Sequence, residues 1–243
     1  MSILVLGHKG MLGHMVVKYL RDNSYEVETV DFKFPTTDFN TYIAEYSGDY
    51  IINCIGAIPQ KTKEFNVNKE LPIWLAENSK CKVIHPGTDC EMDDDAYGVS
   101  KRIARDFLVA NSTNTKIIKA SIIGPELGSR SSLLEWFLHS SEEVRGYSNA
   151  MWSGITTLEW SKQCRAILSD WESYPTETIV ESTCLSKYNL LSLIKEIFNV
   201  DTNIVADPTV SVNKCLVGTT QATDITTQLH ELKTYYYNND PVK

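Results

Sequence analysis

The chain has 243 residues, a net charge of −8, 42% hydrophobic residues and 22% charged residues. This composition is typical of a globular protein with one large domain, or one domain and a small appended one. The acidic balance argues against a general nucleic-acid binder, and no apolar run reaches the ~18 residues of a membrane-spanning helix. Because the N-terminus also lacks a basic and apolar leader, we expect a cytoplasmic protein that binds neither nucleic acid nor membrane.

Strand-like and helix-like runs alternate through the first half of the chain. Apolar runs and helical spacing predict strands at 2–6, 25–30, 50–54, 82–85 and 116–120, and helices at 11–20, 66–79 and 96–110. Such alternation predicts an α/β fold, a Rossmann-type doubly wound parallel sheet with helices on both faces. Ligands of these sheets bind beyond the C-terminal ends of the strands.

The second half of the chain is less regular. Its patterns predict helices at 131–141, 156–170, 187–198 and 225–237, and strands at 177–181 and 203–206. We therefore expect a dinucleotide-binding domain at 1–125 and a small C-terminal α/β substrate lobe at 126–243. Some segments of this second part are free to return to the first domain.

The first predicted strand is followed by three glycines at Gly-x-x-Gly-x-x-Gly spacing, which are Gly7, Gly10 and Gly13. Gly7 allows a tight turn, Gly10 a close approach to a pyrophosphate, and Gly13 close packing of helix on sheet. The helix then begins at Met11 and Leu12, whose backbone N–H groups and partial positive charge suit phosphates. Strand, glycine turn and helix together predict dinucleotide binding.

These residues leave the choice between NAD and NADP open. Asp31 ends the second strand, where an acidic residue usually accepts the ribose 2′-hydroxyl and favours NAD. Lys9 in the glycine turn and Lys33 after Asp31 are placed to hold the 2′-phosphate of NADP instead. Gly56 and Thr88 also follow predicted strands, so we expect them at the same edge of the sheet.

Tyr97 and Lys101 stand four residues apart at the start of a predicted helix. Positions i and i+4 share one helix face, so the phenol and the ammonium can converge. A nearby cation stabilises tyrosinate and should lower the pKa of Tyr97 from its usual ~10. Tyr97 would then serve as an acid or base near neutral pH, and Thr88 could hydrogen-bond the same reacting oxygen.

At these residues the sequence resembles the extended short-chain dehydrogenase/reductase family. Within it, the chain resembles the dTDP-4-dehydrorhamnose reductase-type sugar-nucleotide reductases, and the glycine turn is similar to that of GDP-fucose synthase. The resemblance runs nearly end to end. It is carried by 7–13, Asn53-Cys54-Ile55-Gly56, 68–72, Thr88-Asp89, 97–101, 121–126, 152–157 and 186–188.

The resemblance implies that Thr88, Tyr97 and Lys101 are the catalytic set. Tyr97 would protonate the carbonyl oxygen while the nicotinamide delivers hydride to the adjacent carbon, and Lys101 would also hold the nicotinamide ribose. Trp152 is either a substrate contact, by the resemblance, or an aromatic core residue of the lobe. Lys214 matches a basic position of the family near the substrate diphosphate.

The resemblance also bears on the cofactor, because the glycine turn resembles that of GDP-fucose synthase. It favours NADP(H) and leaves NAD(H) as the second choice, with Cys54 and Gly56 among the cofactor-binding residues. The chain departs from the family between Thr88 and Tyr97, where only eight residues intervene and Cys90 replaces an aromatic residue. Dehydratases place Asp-Glu directly after the Thr, whereas Glu91 comes one position late here, which argues against dehydration.

The six cysteines include no Cys-x-x-Cys pair, and several lie in apolar surroundings. We therefore expect reduced, buried thiols rather than a disulfide framework or a zinc site. The five histidines show no metal-ligand spacing, so we expect no metal.

The sequence therefore predicts NAD(P)H-dependent reduction of a nucleotide-linked 4-keto-6-deoxysugar. Two alternatives remain open. One is a sugar-nucleotide epimerase on the same scaffold, and the other is a regulatory subunit that binds a dinucleotide without catalysis. The nucleotide sugar is the expected partner, and a homodimer is compatible with the sequence.

Overall fold

The computed structural model describes residues 1–238. The strands are β1 Ser2–Leu6, β2 Glu26–Thr29, β3 Tyr50–Asn53, β4 Lys82–Gly87, β5 Thr115–Lys119, β6 Ile122–Ile123, β7 Val144–Trp152, β8 Ile155–Thr156, β9 Glu177–Glu181, β10 Leu185–Ser186, β11 Ile204–Lys214 and β12 Thr220–Gln221. The helices are α1 Met11–Asp22, α2 Thr37–Glu45, α3 Asn66–Asn78, α4 Ala96–Asn111, α5 Leu133–Leu138, α6 Thr157–Ser169, α7 Lys187–Phe198 and α8 Ile225–Leu232. A π-helical turn, Lys233–Tyr237, follows α8.

Seven strands form one sheet in the order β12-β9-β5-β4-β3-β1-β2. The pairs of β1 with β2 and β3, of β3 with β4, and of β4 with β5 are all parallel. From β1 the chain goes to β2 on one side and then crosses to β3 on the other. The carboxyl ends of β1 and β3 therefore border the topological switch point, where such sheets bind ligands. The predicted Rossmann-type parallel sheet is confirmed.

The described chain divides into two compact units. Unit 1 comprises Met1–Lys119 and Ser161–Thr178, and unit 2 comprises Ala120–Trp160 and the residues from Ile179 onward. The core of unit 1 forms because β1 is apolar on both faces, as a strand between two helical layers must be. Its central residues are completely buried, and Leu4 packs in one cluster with Phe39 of α2.

Unit 2 is built around a three-stranded sheet in the order β10-β7-β11. Strand β7 pairs antiparallel with β10 and parallel with β11. Helix α7 lies directly on this sheet, since a Cβ at Gly146 would come within 2.9 Å of the Tyr188 Cα. The buried side of α7 carries Leu190 and Ile194.

The sequence did not predict helix α2, the nine-residue strand β7 or the two-residue strands β6, β8, β10 and β12. Helices α5 and α8 are shorter than the predicted helices, and β11 is longer than the predicted strand. Among residues 1–238, no helix is long and apolar enough to cross a membrane.

The expectation of six reduced cysteines is wrong for one pair, because Cys184 and Cys215 form a disulfide. Thirty residues separate the two in the sequence, and only the pairing of the strands brings them together. Leu185 of β10 and Lys214 of β11 both pair with Trp152 of β7, one from each side. The neighbouring cysteines therefore meet across the end of β7. Cys54, Cys81, Cys90 and Cys164 are reduced.

Loss of this disulfide should lower the stability of the protein. Closing a loop between residues 31 positions apart is worth about 2–4 kcal/mol, chiefly through the unfolded chain. We expect the double variant Cys184→Ser/Cys215→Ser to show this loss in urea unfolding under oxidising conditions. A reductant should lower the stability of the native protein to that of the variant and leave the variant unchanged. Equal stability of the oxidised protein and the variant would contradict this prediction.

Candidate active site at the carboxyl edge of the parallel sheet

The turn after β1 depends on backbone contacts that only glycine permits. Gly7 has a φ of +75°, and a Cβ there would also lie 2.9 Å from the carbonyl of Cys54. A Cβ at Gly13 would lie 2.2 Å from the Gly7 carbonyl oxygen. Strand β1, helix α1 and the end of β3 therefore meet at backbone distance.

Helix α1 begins immediately after this turn. Gly10 occupies its N-cap position, donates its N–H to the Gly7 carbonyl at 2.9 Å, and provides no capping side chain. Met11 is the first helical residue, and Leu12 is buried beneath it. An uncapped helix N-terminus with its partial positive charge suits an anion such as a pyrophosphate.

Asp31 follows β2 and forms an ion pair with Lys9 of the glycine turn. The Lys9 ammonium lies 2.6 Å from an Asp31 carboxylate oxygen, and the two side chains are 69% and 70% exposed. The hydrogen bond from Lys9 lowers the pKa of the Asp31 carboxyl, and the positive charge of Lys9 adds to this effect. Lys33 is exposed two positions further on. Asp31, which would favour NAD, and Lys9, which would favour NADP, therefore contact each other directly.

A buried amide, Asn68, which was not among the predicted site residues, holds the segment that follows β3. Asn68 of α3 accepts a hydrogen bond from the Ala57 N–H at 2.8 Å and donates to the Ala57 carbonyl at 2.9 Å. It also donates to the Ser100 hydroxyl of α4 at 3.3 Å. Cys54 and Gly56 lie in this tethered segment. In the sequence, Asn68 stands in the first turn of an apolar helix and within 68–72, one of the segments that carry the resemblance.

Thr88 lies just beyond β4 and begins a short 3₁₀ turn, Asp89–Met92. Its hydroxyl accepts a hydrogen bond from the Cys90 N–H at 3.3 Å and donates one to the Asp89 carboxylate at 3.0 Å. In return, the Glu91 carboxylate accepts the Thr88 N–H at 3.0 Å. This reciprocal capping box orients the Thr88 side chain.

Tyr97 begins α4 and is hydrogen-bonded to Thr88, with its ring edge-to-face against Phe65 at 5.7 Å. The predicted direction of its pKa shift is wrong. Burial raises the pKa of Tyr97, the charge of Cys90 acts in the same sense, and the hydrogen bond with Thr88 opposes them only in part. The expected cation is directed elsewhere, since the Lys101 ammonium donates to the Pro86 carbonyl at 3.1 Å. At neutral pH the phenol is therefore protonated.

Lys101 is itself 8% exposed. Burial lowers its pKa to about 8, although the charge of Glu91 acts in the opposite direction. His85 of β4 lies in the same interior, and burial together with the Lys101 charge lowers its pKa well below the usual range. Neutral His85 accepts a hydrogen bond from Asn53 at 3.2 Å. The structure thus gathers Thr88, Tyr97 and Lys101 in unit 1, at the sheet edge that also carries the glycine turn.

The two residues expected to contact substrate belong to unit 2. Trp152 is 2% exposed, donates its indole N–H to the Ser121 hydroxyl at 2.7 Å, and has the Lys187 ammonium 4.7 Å from its ring centre. These contacts favour the core role of Trp152. Lys214 ends β11 opposite Trp152. Among the described residues, no group of three His, Cys, Asp or Glu side chains is arranged to hold a metal ion.

Neither a protein-family model nor a curated protein sequence matches the chain. Solved structures do match it in fold. A dTDP-4-dehydrorhamnose reductase from Bacillus anthracis in complex with NADP superposes with a TM-score of 0.79 at 14% identity, covering 97% of this chain and 99% of that one. The dTDP-4-dehydrorhamnose reductase of Clostridium acetobutylicum gives 0.72 at 14% identity, covering 98% of this chain and 100% of that one.

An enzyme with a different reaction shares the same fold. The UDP-glucose 4-epimerase of Thermotoga maritima, solved with UDP-glucose, superposes with a TM-score of 0.68 at 16% identity, covering 98% of this chain and 99% of that one. The likeness to both kinds of enzyme extends over nearly the whole chain. At these identities it establishes the fold, while the chemistry depends on the side chains at the sheet edge.

Replacement of Lys101 by methionine should stabilise the protein near neutral pH. A fall of the lysine pKa from 10.5 to about 8 on folding corresponds to about 3 kcal/mol of destabilisation below pH 8. Between these two values the unfolded chain binds more protons than the native one, so the free energy of unfolding rises with pH. We expect Lys101→Met to remove this rise, with its advantage greatest at pH 7 and nearly lost by pH 10.5.

Urea unfolding of both proteins at pH 7, 9 and 10 measures this difference. Lys18→Met, on the exposed side of α1, serves as a control for the loss of one surface charge. If the free energies of unfolding of the native protein and Lys101→Met change with pH in parallel, burial of the Lys101 ammonium does not destabilise the protein.

Proposed function

We propose that the protein is an NAD(P)H-dependent reductase of a nucleotide-linked 4-keto-6-deoxysugar. One observation carries this proposal. The hydrogen-bonded hydroxyls of Thr88 and Tyr97 lie with the buried Lys101 beyond the end of β4, at the same sheet edge as the glycine turn. A protonated phenol held in this position can donate its proton to a carbonyl oxygen.

The glycine turn fits a dinucleotide. A Cβ at Gly10 would lie 3.3 Å from the Gly7 carbonyl oxygen, so the glycine leaves the backbone open where a pyrophosphate would approach. We infer that Gly7, Gly10 and Gly13, with Met11 and Leu12 at the helix start, bind the pyrophosphate. Cys54 and Gly56 would border the nicotinamide side of the site. The bound cofactor supplies hydride to the keto carbon.

Proton donation is assigned to Tyr97. Its raised pKa keeps the phenol protonated at neutral pH, and Thr88 would share the hydrogen bond to the substrate oxygen as the proton moves. Lys101 stands one helical turn after Tyr97 and is assigned to the nicotinamide ribose. Glu91 is bound to the Thr88 N–H and to Lys119, so it is unavailable as the base of a dehydratase.

The substrate class is supported by the reductases of 4-keto sugar nucleotides among the similar folds. We assign dinucleotide binding to residues 1–125 and substrate binding mainly to 126–243, with 161–178 returning to the first domain. Lys214 remains the candidate for contact with the nucleotide sugar, whereas the burial of Trp152 favours its role in the core. The epimerase of the same fold makes epimerisation the second candidate. Reduction consumes the cofactor stoichiometrically, whereas epimerisation regenerates it, so cofactor turnover separates the two.

We infer NADP(H) as the preferred cofactor and test it on the charges beside the ribose site. If Lys9 and Lys33 hold a 2′-phosphate, the double variant Lys9→Ala/Lys33→Ala should bind NADPH roughly tenfold or more weakly, because charge-assisted hydrogen bonds are lost. NADH binding should change little. Calorimetric titration with both cofactors measures this, with Lys18→Ala as the surface control. Equal losses for both cofactors would instead assign the preference to Asp31 and NADH.

Removal of the Tyr97 hydroxyl tests the reaction itself. A panel of nucleotide-linked keto sugars is first screened with the native protein by NADPH absorbance. Because general acid catalysis contributes about 10²- to 10⁴-fold, Tyr97→Phe should lower kcat by that factor and leave cofactor affinity nearly unchanged. The melting temperature of the same preparation separates a lost proton donor from a lost structural hydrogen bond.

Turnover that survives Tyr97→Phe would end the assignment of this residue as proton donor. If the native protein binds NADPH but reduces no keto sugar in the panel, the proposal of a reductase fails. The non-catalytic, regulatory function then becomes the better interpretation.

A further inference from the structure

Glu91, in the segment between Thr88 and Tyr97, belongs to a buried ion pair that the proposed reaction does not use. Glu91 is 2% exposed, and its carboxylate approaches the Lys119 ammonium at 2.7 Å. The other carboxylate oxygen accepts the Thr88 N–H at 3.0 Å. One carboxylate thus connects the backbone of a proposed catalytic residue to the end of β5.

The network continues from Lys119 to the helix that carries Tyr97. Lys119 lies 3.8 Å from the Glu177 carboxylate, and Arg105 of α4 donates two hydrogen bonds to Glu177, at 3.0 and 2.7 Å. Arg105 stands one turn after Lys101 on the same helix. A continuous series of hydrogen bonds and ion pairs therefore leads from the Thr88 backbone through Lys119 and Glu177 to α4.

The backbone of the segment is fixed by the same helix. Arg102 donates to the carbonyl oxygens of Glu91 and Asp93, at 3.0 and 3.2 Å. Asp95 caps α4 by accepting the Gly98 N–H at 2.7 Å. A Cβ at Gly98 would lie 2.4 Å from the Cys90 carbonyl oxygen, so helix and segment are in direct contact.

Burial of two charges is costly unless each is paired and hydrogen-bonded, and an apolar pair of similar volume often stabilises a protein as well or better. The ion pair is therefore better explained by the position that it gives to Thr88 than by a contribution to stability. The Thr88 hydroxyl is hydrogen-bonded to Asp89, Cys90 and Tyr97. Its direction depends on the Thr88 backbone, whose N–H is bound by Glu91.

On the basis of the proposed function, we propose that Glu91 is a positioning residue. Its carboxylate, anchored by Lys119, fixes the Thr88 backbone so that the Thr88 hydroxyl faces the Tyr97 phenol. The residue acts through Thr88 and does not touch the reacting atoms. A displacement of about 1 Å at a reacting group can cost about 10²-fold in rate, so loss of this anchor should appear in kcat.

Three variants test the proposal through kcat, KM and NADPH affinity. Glu91→Ala removes the acceptor of the Thr88 N–H and should lower kcat roughly 10- to 100-fold, with KM and NADPH affinity little changed. Glu91→Gln keeps an acceptor oxygen and should retain kcat within about threefold. Lys119→Met leaves a buried unpaired carboxylate and should resemble Glu91→Ala, and the double variant Glu91→Gln/Lys119→Met should recover most of the loss.

A second measurement does not depend on turnover. Cys90 lies next to Glu91 with its half-buried thiol 3.6 Å from the Asp89 carboxylate. If Glu91 fixes the segment, its removal should open the segment locally and raise the rate of Cys90 alkylation by iodoacetamide several-fold, as followed by peptide mass spectrometry. The control is Glu135→Gln, which alters a buried carboxylate that accepts the Tyr237 hydroxyl at 2.6 Å in unit 2 and should leave both readouts unchanged.

The outcomes separate this proposal from the proposed function. A kcat that falls in Glu91→Ala and is kept in Glu91→Gln, together with faster Cys90 alkylation, supports the positioning role. Unchanged kcat in folded Glu91→Ala, or equal losses in the Ala and Gln variants, overturns it. If no keto sugar is reduced by the native protein, the proposed function fails, and the alkylation rates alone decide whether Glu91 fixes the segment.

Discussion

The close approach of three backbones at Gly7 is the constraint on which the rest of unit 1 depends. A Cβ at Gly13 would lie 2.2 Å from the Gly7 carbonyl oxygen, and a Cβ at Gly7 would lie 2.9 Å from the Cys54 carbonyl. No rotamer change relieves such contacts, because backbone atoms lie on both sides. The two glycines therefore determine how near α1 comes to β1 and β3, and with it the width of the switch point where a ligand would bind.

From this switch point the order of the strands leads to the proposed catalytic residues. Strand β3 pairs with both β1 and β4, so the segments that follow β1, β3 and β4 emerge side by side. Asn68 adds a direct connection, because its amide contacts Ala57 beyond β3 and Ser100 of α4. One amide therefore joins the segment beyond β3 to α4, the helix that carries both Tyr97 and Lys101.

Local patterns in the sequence predicted the parallel strands β1 to β5, helix α7 and the residue types at the carboxyl edge of the sheet. They did not reveal β7, whose residues Val144–Trp152 include a glycine and several polar residues, because this strand is defined by distant partners on both sides. The Cys184–Cys215 disulfide was missed for the same reason. The sequence pointed to Glu91 only in relation to dehydration, because the positioning role that we propose depends on the capping geometry of Thr88 and on Lys119 of a different strand.

The pKa of Tyr97 shows most clearly where residue spacing misleads. Four-residue spacing correctly puts Lys101 on the next turn, but burial acts on both side chains and opposes the charged form of each. It raises the pKa of the phenol and lowers that of the ammonium to about 8. The site therefore favours a neutral phenol that can release a proton only when negative charge develops on an acceptor beside it. In the reduction that we propose, this acceptor would be a carbonyl oxygen that gains negative charge as the adjacent carbon receives hydride, and a protonated phenol is the form that the step needs.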